Sequence, residues 1–368
     1  MQHVTVYREP GRFAGWPANY GIWAWGQEVV VGYTVGHLLS DGGFHARDKS
    51  KPFLAYQSRS LDGGRSWDVQ PFPGKTPGGR GLSADEHMDE PLWVAKCLDG
   101  PDGLQPSPGG FDFTHPDFAL MCARTNLHAG SRSWFYISYD RCRSWQGPYD
   151  LPANQLLPSG EPGVSARTDY LVDNRETCTF FLTAVKRNGR EGRVFCARTT
   201  DGGKHVNFLS WVGPEPAGYS IMPAGLRLSP TRLLCAVRCS GQRTGAERPP
   251  CWIDLYASDD NGASWDYLSR PVPNTGQGGN PPTLTRLQDG RLLITYGYRN
   301  PPFAMRAIFS EDEGRSWSAP LALREGAGNH DIGYPRTLQL ADGTVVTAYY
   351  WNDEADGDRY LAATLWKP

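Results

Sequence analysis

The side chains of this 368-residue chain that could do chemistry fall in loops between short strand-like runs. One such loop carries Arg12 and Trp16, and the next carries His37, His45, Arg47 and Asp48. Further along come Asp85-Glu86-His87-Met88-Asp89-Glu90, Arg124 and His128, then Arg167, Asp169, Lys186 and Arg187. Arg238, Arg299 and Arg306 follow, and the last group is His330-Asp331, Tyr334 and Arg336. Several guanidinium groups facing one point would suit a ligand carboxylate, since each can grip it with paired N–H donors. The competing expectation is that many of them pair with Asp and Glu of neighbouring segments. His330-Asp331 reads either as an acid/base couple or as a structural contact. The run from Asp85 to Glu90 has a metal-like composition, but consecutive loop residues cannot all face one ion. It reads as a solvated loop, and no metal or other cofactor is expected.

The elements that must position these residues announce themselves through a repeat. Its copies are Ser60-Leu61-Asp62-Gly63-Gly64-Arg65-Ser66-Trp67, Ser138-Tyr139-Asp140-Arg141-Cys142-Arg143-Ser144-Trp145, Ser258-Asp259-Asp260-Asn261-Gly262-Ala263-Ser264-Trp265 and Ser310-Glu311-Asp312-Glu313-Gly314-Arg315-Ser316-Trp317. A worn copy is Thr199-Thr200-Asp201-Gly202-Gly203-Lys204. Each lies between two strand-like runs and reads as a hairpin tip. The Asp accepts the turn's own amides, Gly supplies positive φ, and Trp gives an apolar anchor. Successive boxes are 52 to 78 residues apart, each interval enough for one four-stranded sheet. The sixth interval lacks a fourth strand, while the segment at 4–8 is a strand without a sheet. Joining the two closes a ring and removes an exposed edge. The sequence therefore predicts an all-β chain, residues 1–368 forming one domain. It is a six-bladed β-propeller of four-stranded antiparallel blades whose N-terminal strand completes the last blade. Box turns then share one rim, and the chemistry-bearing loops converge on the opposite face.

Composition agrees with this reading and narrows the partners. The 43 Gly and 30 Pro suit many strands joined by turns. A net charge of −2 provides no field for nucleic acid or an anionic membrane. Apolar runs are far too short for a membrane span. No leader precedes Val4, so a cytoplasmic protein is expected, or a secreted one if a leader has been removed. The eight cysteines lack zinc-type spacing and read as reduced core thiols. The 13 Trp exceed what blade anchoring needs and suit stacking on sugar rings. The oligomeric state is left open.

The boxes are Asp boxes, and with their spacing the chain resembles the six-bladed members of the sialidase (neuraminidase) superfamily over its whole length. That resemblance implies a glycan or oligosaccharide substrate and a tyrosine nucleophile. Tyr334 matches the tyrosine, entering the last inner strand before the turn Asp342-Gly343. Counting back from the first box places the acid/base aspartate at Asp48, with His45 and His330 as rivals. Arg238, and either Arg299 or Arg306, match the arginines of blades four and five. Gly15-Trp16-Pro17 stands where the family has Arg-Ile-Pro, leaving Arg12 as a nearby substitute. No glutamate enters blade four around Met222-Pro223-Ala224, although Glu161, Glu215 and Glu247 lie on plausible loops. Arg167 joins the candidate ligand-binding set, as does Trp16 (or Trp23) as a stacking ring. The function implied is a sialidase-like, exo-acting glycoside hydrolase that releases a terminal, acidic sugar. The alternatives are a non-catalytic glycan-binding propeller and a propeller-fold polysaccharide lyase.

Overall fold

The Asp-box hairpin is the unit from which the fold is built. In the first copy Asp62 Oδ1 accepts the N–H groups of Arg65 and Ser66 at 2.9 Å each, and Oδ2 accepts the Ser66 hydroxyl at 2.7 Å. Gly64 N–H donates to Ser60 Oγ at 2.7 Å. Gly63 and Gly64 hold φ of +72° and +92°, which glycine adopts without steric cost. The worn copy keeps the geometry with a substituted part. Asp201 accepts His205 N–H at 3.0 Å, and the His205 ring, 2.7 Å away, replaces the serine hydroxyl.

These hairpins belong to six antiparallel sheets in a computed structural model that describes residues 1–39, 45–82, 85–158, 160–243, 245 and 248–368. Glu247 lies outside the described residues. The N-terminal strand is β1 (Gln2–Tyr7). Blade one contains β2 (Arg12–Gly15), β3 (Gly21–Trp25), β4 (Glu28–His37), β5 (Leu54–Ser60) and β6 (Asp68–Pro71). Blade two has β7 (Ala119–Arg124), β8 (Ser133–Ser138) and β9 (Gln146–Leu151). Blade three has β10 (Tyr170–Val172), β11 (Cys178–Val185), β12 (Glu191–Thr199) and β13 (Asn207–Trp211). Blade four has β14 (Tyr219–Arg227), β15 (Leu233–Ser240), β16 (Cys251–Ser258) and β17 (Asp266–Val272). Blade five has β18 (Thr285–Arg286), β19 (Leu292–Tyr298), β20 (Ala304–Ser310) and β21 (Leu321–Glu325). Blade six has β22 (Gly333–Gln339), β23 (Val345–Trp351) and β24 (Tyr360–Trp366), and β1 completes it by pairing with β24 from Gln2↔Leu365 to Tyr7↔Leu361. The closure expected from the sequence is what forms.

Blades one and two depart from the repeat in ways that shape the upper face. The inner position of blade one is split, β2 pairing with one end of β4 and β3 with the other. The short helix α1 (Pro17–Tyr20) fills the break. Blade two is three-stranded among the described residues, and the chain before β7 runs irregularly with short 3₁₀ turns. Its hold on β7 is local: Arg124 N–H donates to Leu82 O at 3.0 Å and Asp85 N–H to Thr125 O at 3.1 Å. The solvated loop expected at Asp85–Glu90 is corrected here, since Asp85 and His87 are buried. Asp85 turns inward because its carboxylate satisfies two main-chain donors, Val94 N–H at 2.5 Å and Ala95 N–H at 3.0 Å.

The core lies between neighbouring blades, where inner and middle strands carry continuous apolar faces. All eight cysteines are unpaired and seven are buried, so they pack as small apolar groups. Among the described residues no helix is long and apolar enough to cross a membrane. The box glycines also set how closely blades approach. A Cβ on Gly64 would lie 3.0 Å from Leu365 Cδ2 of blade six, at a φ that other residues resist. Gly64→Ala should therefore destabilise the fold by about 1–2 kcal/mol, read as a lower urea midpoint at unchanged slope.

Candidate active site

Eight non-glycine residues have positive φ among those described, and they sort into two groups. Arg141, Cys142, Asn261 and Glu313 are in box turns. Trp16 (59°), His45 (57°), Met222 (52°) and Tyr334 (51°) lie on the opposite face, where such strain marks constrained functional geometry. Tyr334 and Met222 occupy register breaks of β22 and β14, just inside the mouth of the channel. The main chain of Tyr334 is fixed by Asn280 Oδ1, which accepts its N–H at 2.9 Å.

Around the Tyr334 ring the blades bring cations rather than a carboxylate. Arg238 of β15 donates from Nη1 to the Tyr334 hydroxyl at 3.0 Å, and from Nη2 to Gly278 O. The guanidinium carbons of Arg238 and Arg299 lie 5.6 Å and 5.4 Å from the ring centroid. Burial alone would raise the phenol's pKa. The charges of Arg238, Arg299 and Arg167, with the Arg238 hydrogen bond, outweigh it and hold Tyr334 below the usual phenol range. The place where the resemblance calls for an activating glutamate is taken by Met222, whose Sδ accepts from Arg238 at 3.4 Å.

Beside the tyrosine lies a histidine–aspartate couple that joins two blades. His45 Nδ1 is 3.0 Å from Asp331 Oδ1. Asp331 is fully buried, and its remaining capacity is used by Tyr350 Oη (2.8 Å), Arg359 Nε (3.1 Å) and Ala46 N–H (3.3 Å). Burial would raise this carboxyl, but the His45 hydrogen bond and the charges of Arg359 and Arg299 hold it well below the carboxylate range. Asp331, which only accepts, and the Trp16 indole N–H, which only donates, both approach Nδ1, at 3.0 Å and 3.3 Å; the shorter, charge-assisted contact places the His45 proton on Nδ1 and leaves the lone pair on Nε2. Burial also pulls His45 down to about 4, which leaves it neutral at physiological pH. The rings of His45 and Tyr334 meet edge to face, centroids 6.2 Å apart. Trp16 supports the couple from below, its Nε1 3.3 Å from His45 Nδ1 and its ring stacked 4.0 Å from His87.

The structure thus brings together Tyr334, Arg238, Arg299 and His45, with Trp16 as a buried packing ring and Arg167 close enough to act through its charge. Arg167 is held by Asn19 and, bidentately, by Glu191. Arg299 is wholly buried, donating to Ile332 O, Gly279 O and Tyr350 Oη. Other candidates point elsewhere. Asp48 caps its own turn, accepting Ser50 Oγ at 2.6 Å, and these bonds keep it below the usual range. Arg12 reaches His37 at 2.7 Å, and Arg306 stacks 3.6 Å from the Tyr298 centroid within blade five. His330 is half-buried near Phe303, and it is its neighbour Asp331 that meets an imidazole. Glu215 pairs with Arg193 at 3.6 Å.

Below this group the channel is floored by Arg336, which donates to Ala18 O at 2.7 Å and to Thr168 O. Asp169 lies 3.9 Å from it, and burial raises that carboxyl to about 7. A cavity of about 370 Å³ continues beneath, lined by inner strands of five blades. Sequence reasoning missed Tyr350 and Arg359 as parts of the centre. Tyr350 lies on β23 and Arg359 just before β24, and nothing local marks either, since alternation gives a strand's buried face but not which strand end meets the channel.

The comparisons with known proteins fit this geometry. A family described as the BNR repeat-like domain matches residues 118–347, more than half of the chain. The chain belongs to the BNR repeat-like family. No curated protein sequence matches it. Among solved structures, a protein of unknown function from Dyadobacter fermentans superposes with a TM-score of 0.70 at 17% identity, covering 99% of this chain and 97% of that one. The Hadza microbial sialidase Hz136 gives 0.60 at 14% identity, covering 97% and 66%. An alpha-L-arabinofuranosidase from Fusarium graminearum gives 0.58 at 12% identity, covering 99% and 98%. At these identities the likeness is one of fold, and the family's six-bladed ring is what they share.

The electrostatic account of Tyr334 is directly measurable. Arg238→Met removes a charge and a donor while burial persists, so the phenol should titrate at higher pH than in the parent. An ultraviolet tyrosinate titration of the variant against the parent, with Tyr334→Phe identifying the band, checks it. The sign also follows for stability: a phenol depressed in the fold stabilises increasingly as pH rises from its folded value to about 10, and Arg238→Met should flatten that rise.

Proposed function

We propose that this chain is a glycoside hydrolase of sialidase-like design that releases a terminal acidic sugar from a glycan. The observation that carries the reading is the Tyr334 phenol, hydrogen-bonded by Arg238 within a field of arginines and set beside the His45–Asp331 couple. The names of the fold neighbours, sialidases and an arabinofuranosidase, support a hydrolase of glycans. The same cationic surroundings suit a sugar bearing a carboxylate.

In this reading His45 takes the proton of Tyr334 through Nε2 as the phenolate attacks the anomeric carbon. The imidazolium, steadied by Asp331, passes that proton to the departing glycosidic oxygen, so bond making and breaking balance. Water then attacks the glycosyl–tyrosine bond while Nε2 accepts its proton, the phenolate leaves, and His45 returns the proton to it. A resting pKa of about 4 suits this shuttle, because the imidazole starts neutral and its protonated form is a strong acid. Arginine charge replaces the missing glutamate as the means of activating the tyrosine.

One observation favours a second reading. A neutral buried histidine beside a depressed phenol could also remove a proton next to a uronate carboxylate, with Arg238 neutralising the charge, as a lyase requires.

Tyr334→Phe should lower kcat on a suitable acidic glycoside by about 10³-fold or more, with substrate affinity kept within a few-fold. Unchanged turnover would remove Tyr334 from the chemistry. Absorption by an unsaturated product would select the lyase. For the hydrolase, kcat/KM should fall as pH drops through about 4, where His45 gains its proton, and again as Tyr334 ionises below its ordinary value. His45→Gln should erase the acid limb of that profile.

A further inference from the structure

The worn third box lacks the one bulky ring that its sisters share. Val206 stands where they place Trp67, Trp145, Trp265 and Trp317. Three of those indoles reach the preceding blade. Trp145 Nε1 donates to Gln57 Oε1 of blade one at 3.2 Å, and Trp265 Nε1 to Ser210 Oγ of blade three at 3.1 Å. Trp317 Nε1 donates to Ser269 Oγ of blade four at 3.3 Å. Each ring fills the gap between its own blade and the one before, and its N–H finds an acceptor there.

Valine is too short to span the corresponding gap between blades two and three. Phe111, from the stretch before β7, covers part of it. A Cβ on Gly203 would lie 2.9 Å from its ring, which is 5.4 Å, centroid to centroid, from Tyr149. Beside Val206 a cavity of about 550 Å³ remains. Its walls are Leu104 and Pro106 of the same stretch, Phe135 and Leu151 of blade two, and Val206 itself. Asp150, Asn154 and Gln155 add polar atoms, and none of these residues belongs to the Tyr334 centre.

The lining limits what fills this space. The volume suits a small molecule, and an apolar void left by a missing ring readily takes up a free aromatic one. An ionic ligand gains little, because Asp150 and Lys204 bring one charge of each sign. His205, also at the cavity, is already bound to Asp201 at 2.7 Å. A neutral donor gains more. The Asp150 carboxylate lies 3.8 Å from Arg132, beyond hydrogen-bond reach, and keeps accepting capacity. We infer that the gap between blades two and three is a second binding site, which takes a small neutral aromatic molecule bearing an N–H donor, an indole-sized ring in the place of the box tryptophan.

Indole titrated calorimetrically into the parent should bind with a Kd of about 1 mM or tighter. The like-shaped 1-methylindole, which lacks the donor, should bind at least about fivefold more weakly. Val206→Trp puts the ring back and should abolish indole binding in protein whose circular dichroism matches the parent's. Leu104→Trp narrows the cavity from an irregular stretch, outside the box, and should weaken indole about tenfold or more, so the test stands even if Val206→Trp does not fold. Absence of indole binding in the parent, equal affinity for the two rings, or an indole affinity unchanged by the folded variants overturns the site.

Discussion

A single buried carboxylate holds the candidate centre together. Asp331 receives donors from the blade-one loop, through His45 and Ala46, and from blade six, through Tyr350 and Arg359. An ion this deep is tolerable only if every lone pair is engaged, and four donors achieve that. The consequence reaches past stability. Asp331 sets the tautomer of His45, so the first and last blades must be joined before the imidazole is held in that form. Ring closure thus sets His45 of the first blade against Asp331 of the last.

The arginines divide by what their hydrogen bonds leave over. Arg299 spends its donors on main-chain carbonyls and Tyr350, and Arg167 spends its own on Glu191 and Asn19. Neither needs to grip a ligand in order to matter, because a charge in a poorly hydrated site acts at a distance. Arg238 does both, hydrogen-bonding the phenol and contributing to the field around it. A tyrosine can therefore be tuned without any carboxylate touching it.

How much of this was legible depended on whether the information was local. The box turns could be read because Ser, Asp and Gly within eight residues make their own hydrogen bonds, as Ser60, Asp62 and Gly64 do. The ring followed from spacing and from an unpaired strand at the N-terminus. Tyr334 and Arg238 were singled out through the family resemblance, which sets them at fixed offsets from turns that repeat, and the fold brings the two together. The choice between Arg299 and Arg306 was not, since both belong to one blade and only the fold shows Arg299 beneath Tyr334 and Arg306 lying on Tyr298. The inward turn of Asp85 was hidden for a related reason. Its partners are the amides of Val94 and Ala95 in an aperiodic stretch, where polarity alone suggests exposure. His45 meeting Asp331 joins residues 286 apart in sequence, and no spacing rule spans that distance.

That blade two is three-stranded among the described residues has an evolutionary side. The stretch ahead of β7 carries little of the ladder bonding that locks its counterparts in register, so insertions, deletions and exchanges there leave the ring's architecture intact. Glu86 and His87 lie in this stretch, whereas Tyr334 and Arg238 stand on paired strands. Selection can thus redraw this segment while the strands that carry Tyr334 and Arg238 stay put.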